Sequence, residues 1–159
     1  KVVLISAITP YMIADENNPN GVPMSVFDDI RYNTRHNRAQ FYQDLTIPFF
    51  GYNREGVEIK KSIQDNWWRQ GMMGGIKAQY DCIEVFSETD FTEDLKSVTI
   101  PVLVLHGDDD QIVPYETTAV KAAELLQNGK LIIYPGFSHG MPTTEAETIN
   151  RDILEFINS

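Results

Sequence analysis

Two stretches are apolar almost without interruption, residues 2–8 and residues 101–105, and a shorter third one covers 130–134. Continuous apolar runs of this length, rich in Val, Ile and Leu, suit strands of a parallel sheet covered on both faces. Thr9 and Pro10 end the first run, and residues 11–23, rich in Asp, Asn, Pro and Gly, read as loop. The pattern then changes to helical spacing, with Val26, Ile30, Phe41, Leu45 and Phe49 recurring on one face until Pro48 and Gly51 break it. Further helices are predicted over 58–69 and over 74–86, the latter with Ile76, Tyr80, Ile83 and Val85 among its apolar positions. Residues 91–95 predict a short helical turn, and amphipathic helices over 117–126 and 145–157 flank the third strand. The order is strand, helical insert, strand, helix, strand, helix, which predicts an α/β fold with three parallel strands and flanking helices.

The same pattern divides the chain into a core strand at 1–10, a mainly helical cap with its connections at 11–95, and the remaining core at 96–159. The insert holds the densest group of aromatic and sulfur side chains: Phe49, Phe50, Tyr52, Trp67, Trp68, Met72 and Met73. A helical cap must bury an apolar face, so most of these are expected in plain packing, with the remainder available to line a pocket. A formal charge of −10 over 159 residues argues against nucleic acid or an anionic membrane as partner, since an acidic surface gains nothing from polyanions, and it favours solubility. No segment approaches the roughly 18 apolar residues of a membrane span. The single cysteine, Cys82, excludes an internal disulfide and fits a cytoplasmic setting; beside Ile83 and Phe86 in a helical pattern, it is expected to be a small buried hydrophobe.

Candidate chemistry sits behind the second strand, at His106-Gly107-Asp108-Asp109-Asp110, which comes 29 positions before His139. The C-terminal ends of parallel strands are where α/β sheets place working residues. His139 lies on the loop after the third strand, and one of the three aspartates can hold one ring nitrogen while the other takes and returns a proton. The competing reading of the three acids is a solvated turn. Adjacent acids also attract Ca²⁺ or Mg²⁺, but the spacing of a calcium loop is absent and there is no second carboxylate cluster, so no metal site is expected. His106 reads as a structural hydrogen bonder and His36 as a surface residue. Gly136 to Gly140 spell G-x-S-x-G, which would make Ser138 a nucleophile. Hydrolases built on that elbow run serine, acid, histidine along the chain, whereas Ser138 follows its acid and has no histidine beyond His139. An elbow also needs a helix directly behind its serine, and Met141-Pro142-Thr143-Thr144 stands in the way, so Ser138 is not expected to attack.

Several segments together resemble the C-terminal part of α/β-hydrolases of the non-haem chloroperoxidase, or bacterial arylesterase and perhydrolase, family. They are residues 3–10, 21–23, 38–41, 80–82, 86–91, 106–114 and 138–140, so the likeness runs from end to end. The resemblance implies a Ser-His-Asp hydrolase without haem, metal or other cofactor. Its substrates would be a small acyl ester, or a carboxylic acid with hydrogen peroxide, giving peracids that oxidise halide. It implies Asp110, three residues after Gly107 and followed by Gln-Ile-Val-Pro, as the acid and His139 as the base. Asp108 would then tie the loop and Asp109 would face solvent. The insert would line an acyl pocket. By the same resemblance Lys1 falls inside the strand after the nucleophile helix, so the serine elbow, the oxyanion loop and the first strands are expected on a missing N-terminal segment. The alternative reading is a non-catalytic fragment or interaction module, pairing through the flank of its first strand with that missing half or with a second copy of itself.

Overall fold

The computed structural model describes residues 1–159. Three parallel strands, β1 (Val2–Ile5), β2 (Val102–Gly107) and β3 (Gly129–Tyr134), lie in that order, with Val2 opposite Val102 and Val102 opposite Gly129. β2 is central, and all six of its residues are buried. Its side chains alternate between two cores, as strand geometry requires. Val102 and Val104 pack with Leu95, Ala119, Ala122 and Leu126, while Leu103 and Leu105 pack on the other face with Tyr134, Met141 and Ile149.

β1 is shorter than the apolar run that predicts it, and its four residues are only half-buried because it pairs on one side alone. The strand stops where Ser6 takes a φ of 47°, a left-handed conformation that turns the chain out of the sheet after one last amide bond to Leu105. Residues 11–23 form the expected loop, closed by an isolated bridge between Ile13 and Val22. Buried Asn18 clasps it, donating to the carbonyls of Tyr11 and Ile13 and accepting from Lys121.

The helical insert comprises α1 (Met24–Phe49), bent at Asn37, then α2 (Lys61–Met73) and α3 (Ile76–Glu88), both of which pack on α1. α2 starts later than the sequence suggests because Lys60 is still extended. The predicted face of α3 needs a larger correction. Of Ile76, Tyr80, Ile83 and Val85 only Ile83 is buried, and Cys82 is exposed rather than buried. The stripe that faces the protein is Gln79, Ile83, Phe86 and Ser87, the spacing of one helix face, and Cys82 stands about 100° around the axis from Ile83. Of the aromatic group, Phe50 and Tyr52 are core, the Trp68 indole donates to the Ala39 carbonyl, and Met73 lies outside at 84 % exposure.

α4 (Thr92–Ser97) and α5 (Ala119–Leu125) cover one face of the sheet, and α6 (Met141–Thr144) with α7 (Ala146–Asn158) covers the other. A third core of Met12, Ile13, Phe27, Ile83 and Val113 joins the insert to the loop behind β2. No helix is long and apolar enough to cross a membrane.

Candidate active site

The loop behind β2 folds back on its own aspartate. Asp110 Oδ1 accepts the amides of Ile112 and Val113 at 2.9 and 2.8 Å, while Val113 itself is fixed in the third core. The carboxylate is fully buried, and its other oxygen, Oδ2, lies 2.7 Å from His139 Nδ1 and 3.0 Å from His106 Nε2. Burial by itself raises an aspartate pKa. Here the hydrogen bonds from His106 and His139, the charge of the latter when protonated, and the Val113 amide outweigh it and hold Asp110 well below the usual carboxylate range. Asp110 is therefore an acceptor, and His139 donates its Nδ1 proton to it, which leaves Nε2 without a hydrogen bond inside the chain.

Three contacts place the histidine loop over this acceptor. Asp108 Oδ1 accepts the Gly136 amide at 2.6 Å, so the first acid does tie the two loops together. Gly107 lies directly under the loop: a Cβ there would stand 2.0 Å from the Phe137 carbonyl oxygen. The end of α1 covers the other side. The Gly140 amide donates to Phe49 O at 2.7 Å, the Phe49 ring meets the His139 imidazole edge-on with centroids 4.7 Å apart, and a Cβ on Gly140 would collide with the Phe50 ring. His139 is thus held from β2, from β3 and from the helical insert at once.

Asp109 departs from expectation. It is only 27 % exposed and forms an ion pair with Arg54, because the segment after α1 folds across the loop. The segment after Ser138 also differs from the reading that set it between serine and helix. It forms the short helix α6, which starts at Met141 and tolerates Pro142 because the first turn needs no amide there. Burial is the stronger argument about Ser138, whose Oγ is shut off from solvent and has no hydrogen-bond partner, His139 included. The residue itself lines a cleft of about 390 Å³ together with Tyr52, Arg54, Lys60 and Glu145 among others, and His139 does not line it. His36 is exposed and bonds only the Tyr32 carbonyl, as a surface residue does. No three His, Cys, Asp or Glu side chains converge as a set of metal ligands.

Sequence reasoning missed three contributors. The position of Phe49 against His139 had no signal beyond its place in an aromatic-rich insert. Arg54 had none. His106 adjoins the acid in sequence, yet its contact with Asp110 needs the loop to fold back.

Comparison with known proteins adds to this geometry. A family profile described as serine aminopeptidase, S33 matches residues 51–147. All of the chain aligns with a bifunctional esterase/perhydrolase of Acinetobacter calcoaceticus at 59 % identity and with a non-heme chloroperoxidase of Burkholderia pyrrocinia at 54 %, in each case over 58 % of that protein's length. The fold superposes on a crystal structure of a bromoperoxidase from Bacillus anthracis with a TM-score of 0.94 and 30 % identity, covering 99 % of this chain and 58 % of that one. The chain therefore spans somewhat more than half the length of the curated relatives it matches, and it corresponds to their C-terminal part.

Proposed function

The chain belongs to the α/β-hydrolase family whose profile is described as serine aminopeptidase, S33, and from that premise we propose that Asp110 and His139 are the acid and base of an esterase that also carries out perhydrolysis. The single observation that carries the reading is the 2.7 Å bond between Asp110 Oδ2 and His139 Nδ1, with the far ring nitrogen left as a free acceptor. An imidazole so oriented takes a hydroxyl proton at Nε2, and the buried carboxylate stabilises the imidazolium that forms. The proton then passes to the leaving alcohol as the acyl–oxygen bond breaks.

The nucleophile in this proposal is a serine outside these 159 residues. Ser138 is buried and makes no bond to His139, and the similar proteins extend well beyond the aligned region. The acyl-serine is released by water to give the acid or by hydrogen peroxide to give a peracid, which oxidises halide in a separate step. The relatives named as esterase/perhydrolase and as chloroperoxidase support this choice of reactions. The exposed, unpaired Cys82 is compatible with a cytoplasmic enzyme. Steady-state rates with one short ester test the assignment in the full-length protein. Asp110→Asn should lower turnover roughly 10⁴-fold, as removal of the corresponding charge does in serine proteases, with His139→Ala at least as severe. Ser138→Ala should keep most activity. A dead Ser138→Ala beside an active Asp110→Asn would reverse the roles.

A further inference from the structure

The Asp110 carboxylate has two oxygens, and each is approached by two nitrogens. Oδ1 is filled by the Ile112 and Val113 amides, and Oδ2 is reached by His139 Nδ1 and by His106 Nε2. His106 is the penultimate residue of β2, fully buried at 0 % exposure, and its Nε2 also lies 3.0 Å from the Val113 carbonyl. Both neighbours of that nitrogen are acceptors, so it must carry the proton; Nδ1, buried and without a partner, is then the bare nitrogen of a neutral ring. The N–H donates to the loop backbone, and its nitrogen stands 3.0 Å from the same carboxylate oxygen that His139 reaches.

From this we propose that His106 is a positioning residue for the reaction, a neutral Nε2–H donor on the central strand that fixes the Oδ2 atom of Asp110 against His139. The inference rests on the reading of Asp110 and His139 as acid and base. Its physical content is orientation. Two amides on Oδ1 fix one end of the carboxylate but leave the plane free to tilt about it, whereas a third donor from a rigid strand removes that freedom. A misplaced Oδ2 lets the imidazole swing, and small displacements of a proton-transfer group are costly in rate. The donor touches neither substrate nor the reacting atoms, so its loss should leave binding alone.

The test uses the full-length protein with His106→Leu, which keeps bulk and removes the donor, and His106→Gln, whose Nε2 can replace the imidazole N–H. Rates are taken per folded molecule, from the native fraction. The expected result is a kcat lowered at least about tenfold in His106→Leu with KM unchanged, and recovered in large part by His106→Gln. Equal kcat in wild type and His106→Leu would overturn the proposal while leaving the acid–base pair intact; an active Asp110→Asn or His139→Ala would instead remove the pair on which it rests. Should His106→Leu fail to fold, the wild-type protein decides. Long-range ¹⁵N–¹H spectra of its histidines should show His106 as the neutral Nε2–H form, and an Nδ1–H form or a charged ring at neutral pH would overturn the assignment.

Discussion

At the scale of single residues, Asp110 couples the site to the stability of the fold. Its native pKa lies below that of an unfolded aspartate, about 3.9, so the unfolded chain takes up a proton in acid that the native carboxylate refuses. The resulting stabilisation is complete above that unfolded value and drains away as pH falls through the window below it. Asp110→Asn should therefore lower the unfolding free energy at neutral pH and also flatten its acid-side slope. Urea unfolding of wild type and variant at a series of pH values from neutral to about 3 measures both, and parallel slopes would contradict the account. Spacing and flanking residues singled out Asp110 and His139 in the sequence, and the structure brings the two side chains to 2.7 Å. Nothing local in the sequence said that His106 would share their oxygen, since that contact exists only once residues 107–113 have turned back on themselves.

At the scale of elements, the histidine loop depends on a clamp between α1 and the segment ahead of α6. Gly140 is its narrowest point, because a Cβ there would lie 2.2 Å from Phe50 Cδ1 and the Phe49 carbonyl is also close. Gly140→Ala should destabilise the fold by about 1–3 kcal/mol, in the range of an overpacked core. It should also displace His139 and lower turnover of the molecules that remain folded. Thermal melts together with ester hydrolysis read the two effects, and an unchanged rate would show that the clamp does not set the position of the base. The sequence pattern located the three strands and the helices α4, α5 and α7 to within a few residues, because β2 and its covering helices bury whole faces, but it missed the short helix α6. It misjudged α3, where Ile76, Tyr80 and Val85 are apolar yet exposed, and where the inward stripe includes the polar residues Gln79, half-buried, and Ser87, buried. Those two are accommodated by hydrogen bonds: Ser87 Oγ donates back to the Ile83 carbonyl, and Gln79 accepts from Arg38.

At the scale of the whole molecule, β1 pairs on one side only, and the proposal sets the nucleophilic serine outside these 159 residues. If the serine lies there, this chain produced alone should not hydrolyse a short aryl ester above background, and adding the preceding segment as a separate polypeptide should restore turnover where the two dock. An acyl-enzyme formed by the chain alone would bring Ser138 back into consideration. The reaction class has its own test. In the full-length protein, acetate and hydrogen peroxide should yield peracetate, and halogenation should require the carboxylic acid. Halogenation that persists without any carboxylic acid would contradict the peracid route.

The sequence by itself determined the central strand of the parallel sheet, since a strand buried on both faces carries a continuous apolar run as β2 does, and it determined the loop pair at the ends of β2 and β3 on which Asp110 and His139 stand. It also carried the likeness that singled out Asp110 and His139. Tertiary structure alone decided the rest: which oxygen of Asp110 each histidine reaches, the pairing of Asp109 with Arg54, the Phe49 ring on the base, and the burial of Ser138. These contacts join residues whose approach is fixed by how the insert crosses the sheet, and periodicity records which face of an element is covered without recording what covers it.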